Sequence, residues 1–219
     1  MLISQPERLY TIECGSAKAA SDSRVAASGT LGFVPTNPVS NTPSATTATD
    51  LARAERFIRE VPDYPAPGIL FRDIMPLLAD GPALRTTVDA LIEPFLGEFD
   101  VIAGLEARGF LLASAAAYAS GVGLFPIRKA GKLPRPAASV GYELEYGVAE
   151  VEAHNDVPHG SRVLLIDDVL ATGGTLIAAR ELLIELGYEV AGIAVLFEID
   201  GLGGRKALED PHLHTVFRS

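Results

Sequence analysis

Apolar and polar positions follow two different periods from about residue 50 onward, and segments of each period alternate along the chain. Short apolar runs bounded by turn residues predict buried strands, whereas apolar positions three and four residues apart predict helices. The predicted strands cover residues 100–104, 124–128, 148–153, 163–166 and 189–197, with a last strand around 212–214. The predicted helices cover residues 50–61, 82–97, 110–120 and 174–186.

This order of elements predicts an α/β fold, in which a mostly parallel twisted sheet is flanked by helices on both faces. Ligands of such sheets bind at the carboxyl ends of the strands. Two segments depart from the regular pattern. Residues 62–68 contain prolines and a glycine that end the first helix, and residues 129–146 are polar, contain glycine and proline, and are expected to be mobile.

The first 49 residues differ in composition from the rest of the chain. Residues 15–49 are rich in Ser, Thr, Ala, Gly and Pro and have few bulky apolar side chains. Such a segment buries too little apolar surface to offset the entropy lost on ordering. We therefore expect a disordered N-terminal extension over residues 1–49 and one folded domain over residues 50–219. A targeting peptide and a wrongly assigned start codon are the alternatives that the composition leaves open.

The overall composition favours a soluble cytoplasmic enzyme. Hydrophobic residues make up 48% of the 219 residues, which is enough for a sizeable core. The formal net charge is −10, so a surface for nucleic acid is not expected. The sequence has no apolar run long enough to span a membrane, and its N-terminus lacks the layout of a secretion signal.

The sequence VLLIDDVLATGGT, residues 163–175, is the most informative segment of the chain. Its apolar run predicts a buried parallel strand, which leads into two adjacent carboxylates, Asp167 and Asp168. Successive side chains of a strand point to opposite faces, so both carboxylates can serve one ligand only where the strand ends and the backbone bends. Carboxylates at such a place can accept hydrogen bonds from a vicinal diol.

A turn of small residues follows the acidic pair and leads into the predicted helix 174–186. Its residues are Ala171, Thr172, Gly173, Gly174 and Thr175. Because these side chains are small, the backbone N–H groups can approach an anion, and the positive end of the helix dipole adds to the attraction. The segment predicts a site for a molecule that carries both hydroxyl groups and a phosphate. It is not a P-loop, since no Gly-Lys-Ser/Thr follows, and an ordinary strand-to-helix turn is the alternative.

Positive side chains follow two other predicted strands. Arg108 follows strand 100–104, and its planar guanidinium suits a phosphate, although a surface ion pair would also explain it. Arg128, Lys129 and Lys132 follow strand 124–128. A polyanionic ligand would relieve the repulsion among these three charges, and a solvated basic turn is the alternative.

The motif 163–175 resembles the phosphoribosyl-pyrophosphate (PRPP) motif of the type I phosphoribosyltransferases. The resemblance extends to the adenine-specific enzymes of that family. The matching segments are VPDYPAPGILFRDI (61–74), IAGLEARGF (102–110), IRKAGKLP (127–134), YELEYG (142–147) and LFEIDGLGGRKAL (196–208). They occur in the right order and cover nearly everything from Leu51 to Leu208, whereas the first fifty residues match nothing in the family pattern.

The resemblance implies a small hood above the sheet and a role for each part of the site. The 5′-phosphate of PRPP would lie on residues 171–175, and its ribose hydroxyls near Asp167 and Asp168. The pyrophosphate would be bound by Glu106, Ala107, Arg108, Arg128, Lys129 and Lys132, with a cis peptide bond between Glu106 and Ala107. Adenine would lie among Phe71, Arg72 and Ile199, although Phe71 and Ile199 taken alone would be ordinary core residues.

The implied reaction is the Mg²⁺-dependent transfer of the 5-phosphoribosyl group from PRPP to adenine, which gives AMP and pyrophosphate in purine salvage. Mg²⁺ would be bound mainly through PRPP, without a direct protein ligand. Glu145, Asp167 and Asp168 would be the catalytic residues, and the mobile segment would carry Glu145 and Tyr146 over the bound substrates. The resemblance also implies a homodimer, and the proton role of Glu145 stays open.

Three other functions would fit parts of this pattern. The first is transfer to hypoxanthine, guanine, xanthine or orotate. Enzymes for 6-oxopurines typically carry an aspartate before the Thr-Gly pair, where this chain has Ala171, and this favours adenine. The second is a regulator that kept the fold, but no DNA-binding domain is recognised in this acidic chain. The third is a PRPP synthetase, which would be longer and would have other motifs.

Overall fold

A seven-stranded sheet forms the centre of the computed structural model, which describes residues 46–64, 66–68, 70–144 and 147–218. The strands of this sheet are β3 Val101–Leu105, β4 Gly123–Lys129, β5 Ala138–Leu144, β6 Gly147–Ala153, β7 Arg162–Leu170, β8 Glu189–Glu198 and β9 Leu213–Arg218. A separate two-stranded antiparallel ribbon pairs β1, Arg59–Pro62, with β2, Leu70–Asp73. The helices are α1 Ala48–Glu55, α2 Met75–Ala79, α3 Gly81–Ile92, α4 Arg108–Ser120, α5 Gly174–Glu185 and α6 Gly204–Leu208, and a 3₁₀ turn spans Glu93–Phe95.

The strand order of the large sheet is β5-β6-β4-β3-β7-β8-β9. Strands β4, β3, β7, β8 and β9 are parallel neighbours, whereas β6 and β5 run antiparallel at one edge. The connections from β3 to β4, from β7 to β8 and from β8 to β9 each contain a helix, whereas β4 is followed by the β5–β6 hairpin before β7. The prediction of a mostly parallel sheet flanked by helices is therefore confirmed.

Two apolar cores cover the two faces of the sheet, and β7 contributes to both. Leu164 and Ile166 belong to the core that includes Leu112 of α4, and all three are fully buried. Leu165 belongs to the opposite core, together with Leu182 of α5. Because neighbouring strand residues face opposite sides, one continuous apolar run supplies both cores and fixes β7 in the middle of the fold.

The predicted helix 50–61 is wrong in its second half. The helix α1 begins after Thr47, whose hydroxyl accepts a hydrogen bond from the Asp50 N–H, and it ends at Glu55. Residues 59–62 instead form β1, in which Glu60 pairs with Arg72 of β2. The paired residues Glu60 and Arg72 are twelve positions apart in the chain, so local periodicity could not reveal this pairing.

Two other boundaries differ from the predictions. The helix predicted over 82–97 ends at Ile92, because Pro94 cannot donate a backbone hydrogen bond and a 3₁₀ turn follows. The segment 129–146, in which no strand was predicted, contains β5, and β5 pairs with β6 so that Val140 lies opposite Val151. The small helices α2 and α6 had no prediction. Among the described residues, no helix has the length and apolar character needed to cross a membrane.

Candidate active site

The predicted site residues come together at the carboxyl ends of the parallel strands. Glu106 follows β3, Lys129 is the last residue of β4, and Ile199 follows β8. Asp167 and Asp168 lie near the end of β7, the strand between β3 and β8. Segments that are far apart in sequence therefore meet at one edge of the sheet, as the fold class predicts.

The loop 171–175 joins the end of β7 to α5 and borders a cavity of about 110 Å³. Gly173 has a φ of +90°, a conformation that favours glycine, and it directly precedes the first helical residue, Gly174. Gly173 is the N-cap residue and has no side chain that could cap this end of α5. The first N–H groups of the helix are therefore left for another partner, which suits an anion.

The two aspartates occupy a part of β7 that extends past β3. Pairing of β7 with β3 stops at Ile166, whereas pairing with β8 continues to Leu170. The expectation that the strand ends at the acidic pair is therefore wrong, because β8 keeps this segment extended. Both aspartates nevertheless border one cleft of about 460 Å³. Asp167 also borders the cavity of the loop 171–175, and Asp168 borders a third cavity.

Burial shifts the acid–base behaviour of both aspartates. Burial raises the pKa of Asp167 well above its ordinary value, and the neighbouring charge of Asp168 raises it further. Burial also raises the pKa of Asp168, although the Arg108 guanidinium opposes this change. Two adjacent buried carboxylates repel each other, so a ligand that donates hydrogen bonds or brings positive charge would be bound favourably here.

Close approach of the backbone brings the start of α4 against this acidic pair. A Cβ added at Gly109 would lie 2.8 Å from Asp167 Oδ1 and 3.1 Å from the Ile166 carbonyl oxygen. Only a glycine leaves room for that contact. Arg108, the residue before it, forms an ion pair of 2.8 Å with Asp168, and its guanidinium carbon lies 5.0 Å from the centre of the Phe71 ring. Arg108 therefore forms an ion pair, as the alternative prediction held, but this ion pair lies within the candidate site.

The basic residues at the end of β4 and just after it surround one carboxylate. Glu106 accepts hydrogen bonds from Arg128 Nε at 3.3 Å, from Lys132 Nζ at 3.2 Å and from the Lys129 N–H at 3.1 Å. Burial alone would raise the pKa of Glu106, but these hydrogen bonds lower it below its ordinary value. The positive charges of Arg128 and Lys132 are therefore already paired with the carboxylate of Glu106. The peptide bond between Glu106 and Ala107 is cis, as the family resemblance implies.

The three residues predicted to bind adenine line a common cavity of about 130 Å³. Phe71 and Arg72 lie in β2, and Ile199 enters from the end of β8. Arg72 is held from two sides, since its Nη1 lies 2.7 Å from Glu60 Oε1 and its guanidinium carbon lies 4.5 Å from the centre of the Phe197 ring. This small, mainly apolar slot has the proportions for a flat ring.

Several site residues were not predicted from the sequence. Val169 and Phe197 line the small apolar slot, and Tyr64 packs edge-on against Phe71 with ring centres 5.1 Å apart. Tyr142 of β5 accepts a hydrogen bond of 3.2 Å from the Thr175 hydroxyl. The period-two alternation along the strands could have indicated Phe197, but the position of Tyr142 depends on a hairpin that was not predicted.

The predicted loop residues Glu145 and Tyr146 lie outside the described residues. The strands on either side are described, because β5 ends at Leu144 and β6 begins at Gly147. Within the described part of the chain, no group of three His, Cys, Asp or Glu side chains is arranged to hold a metal ion.

Comparison with known proteins agrees with this geometry. Residues 78–217 match the model of the phosphoribosyl transferase domain. The adenine phosphoribosyltransferase of Clavibacter michiganensis is 60% identical over 172 residues, which are 78% of this chain and 97% of that protein. The chain belongs to the adenine phosphoribosyltransferase family. The members of this family are transferases.

Solved structures of the adenine phosphoribosyltransferase family share the fold. The enzyme of Rhodothermus marinus matches with a TM-score of 0.74 and 45% identity, over 79% of this chain and all of that one. The enzyme of Saccharomyces cerevisiae matches with a TM-score of 0.73 and 36% identity, over 78% of this chain and 99% of that one. The latter was crystallised with adenine and D-2,5-dideoxy-2,5-imino-altritol 1,6-bisphosphate.

Proposed function

We propose that this protein transfers the 5-phosphoribosyl group of PRPP to adenine and releases AMP and pyrophosphate. The observation that carries the proposal is the meeting of three cavities at the acidic pair. The cavity of the loop 171–175, the central cleft and the apolar slot all border Val169, and each also borders one or both aspartates. A molecule with a phosphate, a ribose and a base needs three such regions in a row.

Each region suits one part of the substrates. The 5′-phosphate is assigned to the loop 171–175, where the start of α5 offers N–H groups. The ribose is assigned to the central cleft, where Asp167 and Asp168 can accept hydrogen bonds from its hydroxyls. Adenine is assigned to the slot of Phe71, Arg72 and Ile199. Adenine bound to the Saccharomyces cerevisiae enzyme supports the choice of base.

The pyrophosphate is assigned to the wall of the central cleft that contains the positive groups. Arg108 and Lys129 border the cleft directly. Arg128 and Lys132 donate hydrogen bonds to Glu106, which also borders the cleft. Their charges would stabilise the leaving group as its bond to the anomeric carbon breaks. We propose that the backbone of Ala107, at the start of α4, takes part in this binding.

The chemistry follows from charge and position. The bond between the anomeric carbon and the pyrophosphate oxygen breaks while adenine N9 forms a bond at the same carbon, and N9 loses its proton. Positive charge develops on the ribose, and the carboxylates of Asp167 and Asp168 stabilise it. We propose that Glu145 and Tyr146 close over the substrates from the β5–β6 hairpin, which would exclude water that could hydrolyse PRPP.

Mg²⁺ is the proposed cofactor. The negative charges of Asp167 and Asp168 border the central cleft and would favour a divalent cation that is bound there through PRPP. The described residues contain no set of three ligating side chains, so most of the coordination would come from oxygens of PRPP. When bound, Mg²⁺ would supply neutralisation of the diphosphate charge.

We also propose that the protein is a cytoplasmic homodimer, with residues 50–219 as the catalytic domain and residues 1–49 as an extension. Leu111 and Tyr118 of α4 are 48% and 79% exposed, and they lie on the helix that carries Arg108 at its start. Exposed apolar side chains on one helix favour an association surface. Sedimentation analysis of the full chain measures the oligomeric state.

Turnover with different free bases tests the assigned reaction. With PRPP and Mg²⁺, adenine is expected to give AMP and pyrophosphate, with kcat/KM far above that for hypoxanthine or guanine. The reason is that enzymes for 6-oxopurines typically carry an aspartate at the position where this chain has Ala171, so that carboxylate is missing here. Equal or higher kcat/KM with hypoxanthine or guanine would contradict the assignment to adenine, and no transfer to any base would contradict the reaction itself.

A further inference from the structure

The short helix α6 lies directly against the loop 171–175. A Cβ added at Gly173 would lie 3.0 Å from the Gly204 carbonyl oxygen. A Cβ added at Gly204 would collide with the Ala171 carbonyl oxygen and would lie 2.8 Å from Leu170 Cδ1. The loop and the start of α6 are thus in backbone contact, with no side chain between them. The position of this loop therefore depends on the position of α6.

Arg205, the residue after Gly204, fixes α6 to the end of the sheet. Its Nε lies 3.0 Å and 3.1 Å from the two carboxylate oxygens of Glu198, and its Nη2 lies 2.7 Å from Glu198 Oε2. Its Nη2 also donates to the Thr215 hydroxyl at 2.7 Å, and its Nη1 to the Leu213 carbonyl oxygen at 3.3 Å. All these partners lie on β8 and β9, so one guanidinium joins α6 to two strands.

The partner of Arg205 is a buried carboxylate. Glu198 is only 7% exposed, and it also lies 3.3 Å from Arg218 Nε. Planar pairing of a guanidinium with a carboxylate has a defined geometry, which a flexible ammonium group does not reproduce. Glu198 also directly precedes Ile199, whose N–H donates to the Leu170 carbonyl oxygen at 2.9 Å. The same network thus reaches both the loop 171–175 and the apolar slot.

The opposite end of α6 has its own anchor. Arg180 of α5 donates to the Leu208 carbonyl oxygen at 2.8 Å, at the last residue of α6. With both ends fixed, α6 has little freedom to move away from the loop. An anion-binding loop needs this support, because a displacement of about 1 Å at a binding group can cost orders of magnitude in rate.

We propose that Arg205 is a positioning residue for phosphate binding, which acts by holding α6 behind the loop 171–175. Arg205 does not border any of the three cavities of the site, so it acts through Gly204 and not by contact with the substrate. The proposal rests on the assignment of the 5′-phosphate to this loop.

Replacement of Arg205 by Met removes the charge and all hydrogen bonds and keeps an unbranched side chain. We expect the affinity for AMP and for ribose 5-phosphate to fall about tenfold or more, whereas the KM for adenine at saturating PRPP should change little. Arg205→Lys should restore only part of the affinity, because Lys cannot pair with both oxygens of Glu198. Isothermal titration with AMP and ribose 5-phosphate and steady-state kinetics provide these values.

Arg162→Met is the matched control. Arg162 makes a similar two-point pair with Asp100, with Nε–Oδ2 and Nη2–Oδ1 distances of 3.1 Å and 2.7 Å, but it lies at the amino end of β7. This variant loses the same kind of interaction far from the loop. It should keep wild-type affinity for AMP and ribose 5-phosphate. Equal loss of affinity in Arg162→Met and Arg205→Met would mean that Arg205 only stabilises the fold, and this would overturn the proposal.

Gly173→Val separates this inference from the assignment of the phosphate. Valine disfavours the φ of +90°, so it distorts the loop 171–175 directly. If Gly173→Val weakens AMP binding and Arg205→Met does not, the role of Arg205 is wrong and the assignment of the phosphate stands. If neither variant weakens AMP binding, the phosphate does not bind at this loop, and both statements fail. If Arg205→Met does not fold, Arg205→Lys is measured in its place. This variant is expected to lose part of the affinity for AMP and ribose 5-phosphate, and wild-type affinity would contradict the proposal.

Discussion

At the scale of single residues, the acidic pair destabilises the folded state but provides groups that can bind a ligand. Asp167 and Asp168 are adjacent in sequence and buried, and burial raises the pKa of both. Arg108 compensates part of this charge through its ion pair with Asp168. Functional sites often retain such unfavourable groups, because their replacement would stabilise the fold and remove the activity.

Replacement of Asp167 by Asn is expected to separate these two effects. Asn can still accept the hydrogen bond of 2.8 Å from the Asp168 N–H, but it carries no charge. The free energy of unfolding at neutral pH should rise by about 0.5–2 kcal/mol. The value of kcat/KM should fall at least about tenfold, because a hydrogen bond to a charged group contributes about 1.5–3 kcal/mol. Denaturant titration and steady-state kinetics measure the two changes.

The pH dependence of this stabilisation has a defined sign. A carboxyl group whose pKa is raised on folding stabilises the folded state at low pH and loses that contribution as the pH rises through the folded-state pKa. The stability gain of Asp167→Asn should therefore be largest at neutral pH and shrink as the pH falls toward the unfolded value of 3.8. Asp156→Asn, which removes one negative charge from a side chain that is 82% exposed, is the control. An equal gain at every pH would contradict the explanation.

A site residue could be predicted from the sequence where its neighbours in the chain belong to the same site. The loop 171–175 and the acidic pair form one continuous segment, so their residue types alone indicated a phosphate and a diol. Phe71 and Ile199 required the family resemblance, because an aromatic or aliphatic residue at a strand end is usually part of a core. Glu60 could not be found at all, since its pairing with Arg72 depends on a ribbon that the sequence pattern placed inside a helix.

At the scale of elements, the hairpin of β5 and β6 links two parts of the site. Val140 and Tyr142 of β5 pack against the core that includes α5, and α5 begins at the loop 171–175. Tyr142 accepts a hydrogen bond from Thr175, so the hydroxyl proton of Tyr142 can be donated to a ligand in the central cleft, which both residues border. In the sequence, Glu145 and Tyr146 are the two residues between β5 and β6.

Tyr142→Phe is expected to weaken PRPP binding about fivefold, since one neutral hydrogen bond contributes about 1 kcal/mol. The ring and its packing remain, so the melting temperature should change little. Tyr188→Phe is the matched control, because the Tyr188 hydroxyl donates to the Val157 carbonyl oxygen away from the site. The apparent Kd for PRPP, measured by titration with Mg²⁺ present, distinguishes them. Unchanged PRPP affinity in Tyr142→Phe would remove this hydroxyl from the site.

Most strands of the large sheet and the longer helices α3, α4 and α5 were predicted, whereas β1, β2, β5, α2 and α6 were not. A buried strand such as β7 is recognised from its continuous apolar run, whatever elements lie beside it. β1 and β5 are short or polar, and they are stable as strands only because β2 and β6 lie beside them. α6 has five residues, which is too short to show a helical period. Tertiary contacts therefore decided the elements that the sequence left unpredicted.

At the scale of the whole molecule, all described residues, from 46 to 218, belong to one compact unit. The first helix of this unit, α1, packs Ala54 into the core and places Arg53 3.8 Å from Asp80. Thr47 caps α1 from the residue before it. These contacts set the point at which removal of the N-terminal residues should begin to affect the fold.

Deletion of residues 1–45 is expected to change neither the melting temperature nor the specific activity, because the composition of that segment offers little apolar surface for packing. Deletion of residues 1–58 removes α1 as well and should lower the melting temperature by several degrees, since the buried Ala54 is lost. Thermal unfolding and a turnover assay on both truncated chains provide the comparison. A marked loss of stability in the shorter deletion would show that residues 1–45 pack on the domain.

The carboxylate of Glu106 among its basic neighbours has a consequence for the speed of turnover. Arg128 and Lys132 are already paired with Glu106, so an arriving diphosphate exchanges one anion for another. Such an exchange gains less free energy than the filling of an isolated positive site, because the lost pair offsets part of the new one. The bound diphosphate should accordingly have a shorter residence time. In the proposed reaction, an internal competitor of this kind would let the product leave quickly and keep the protein available for the next substrate.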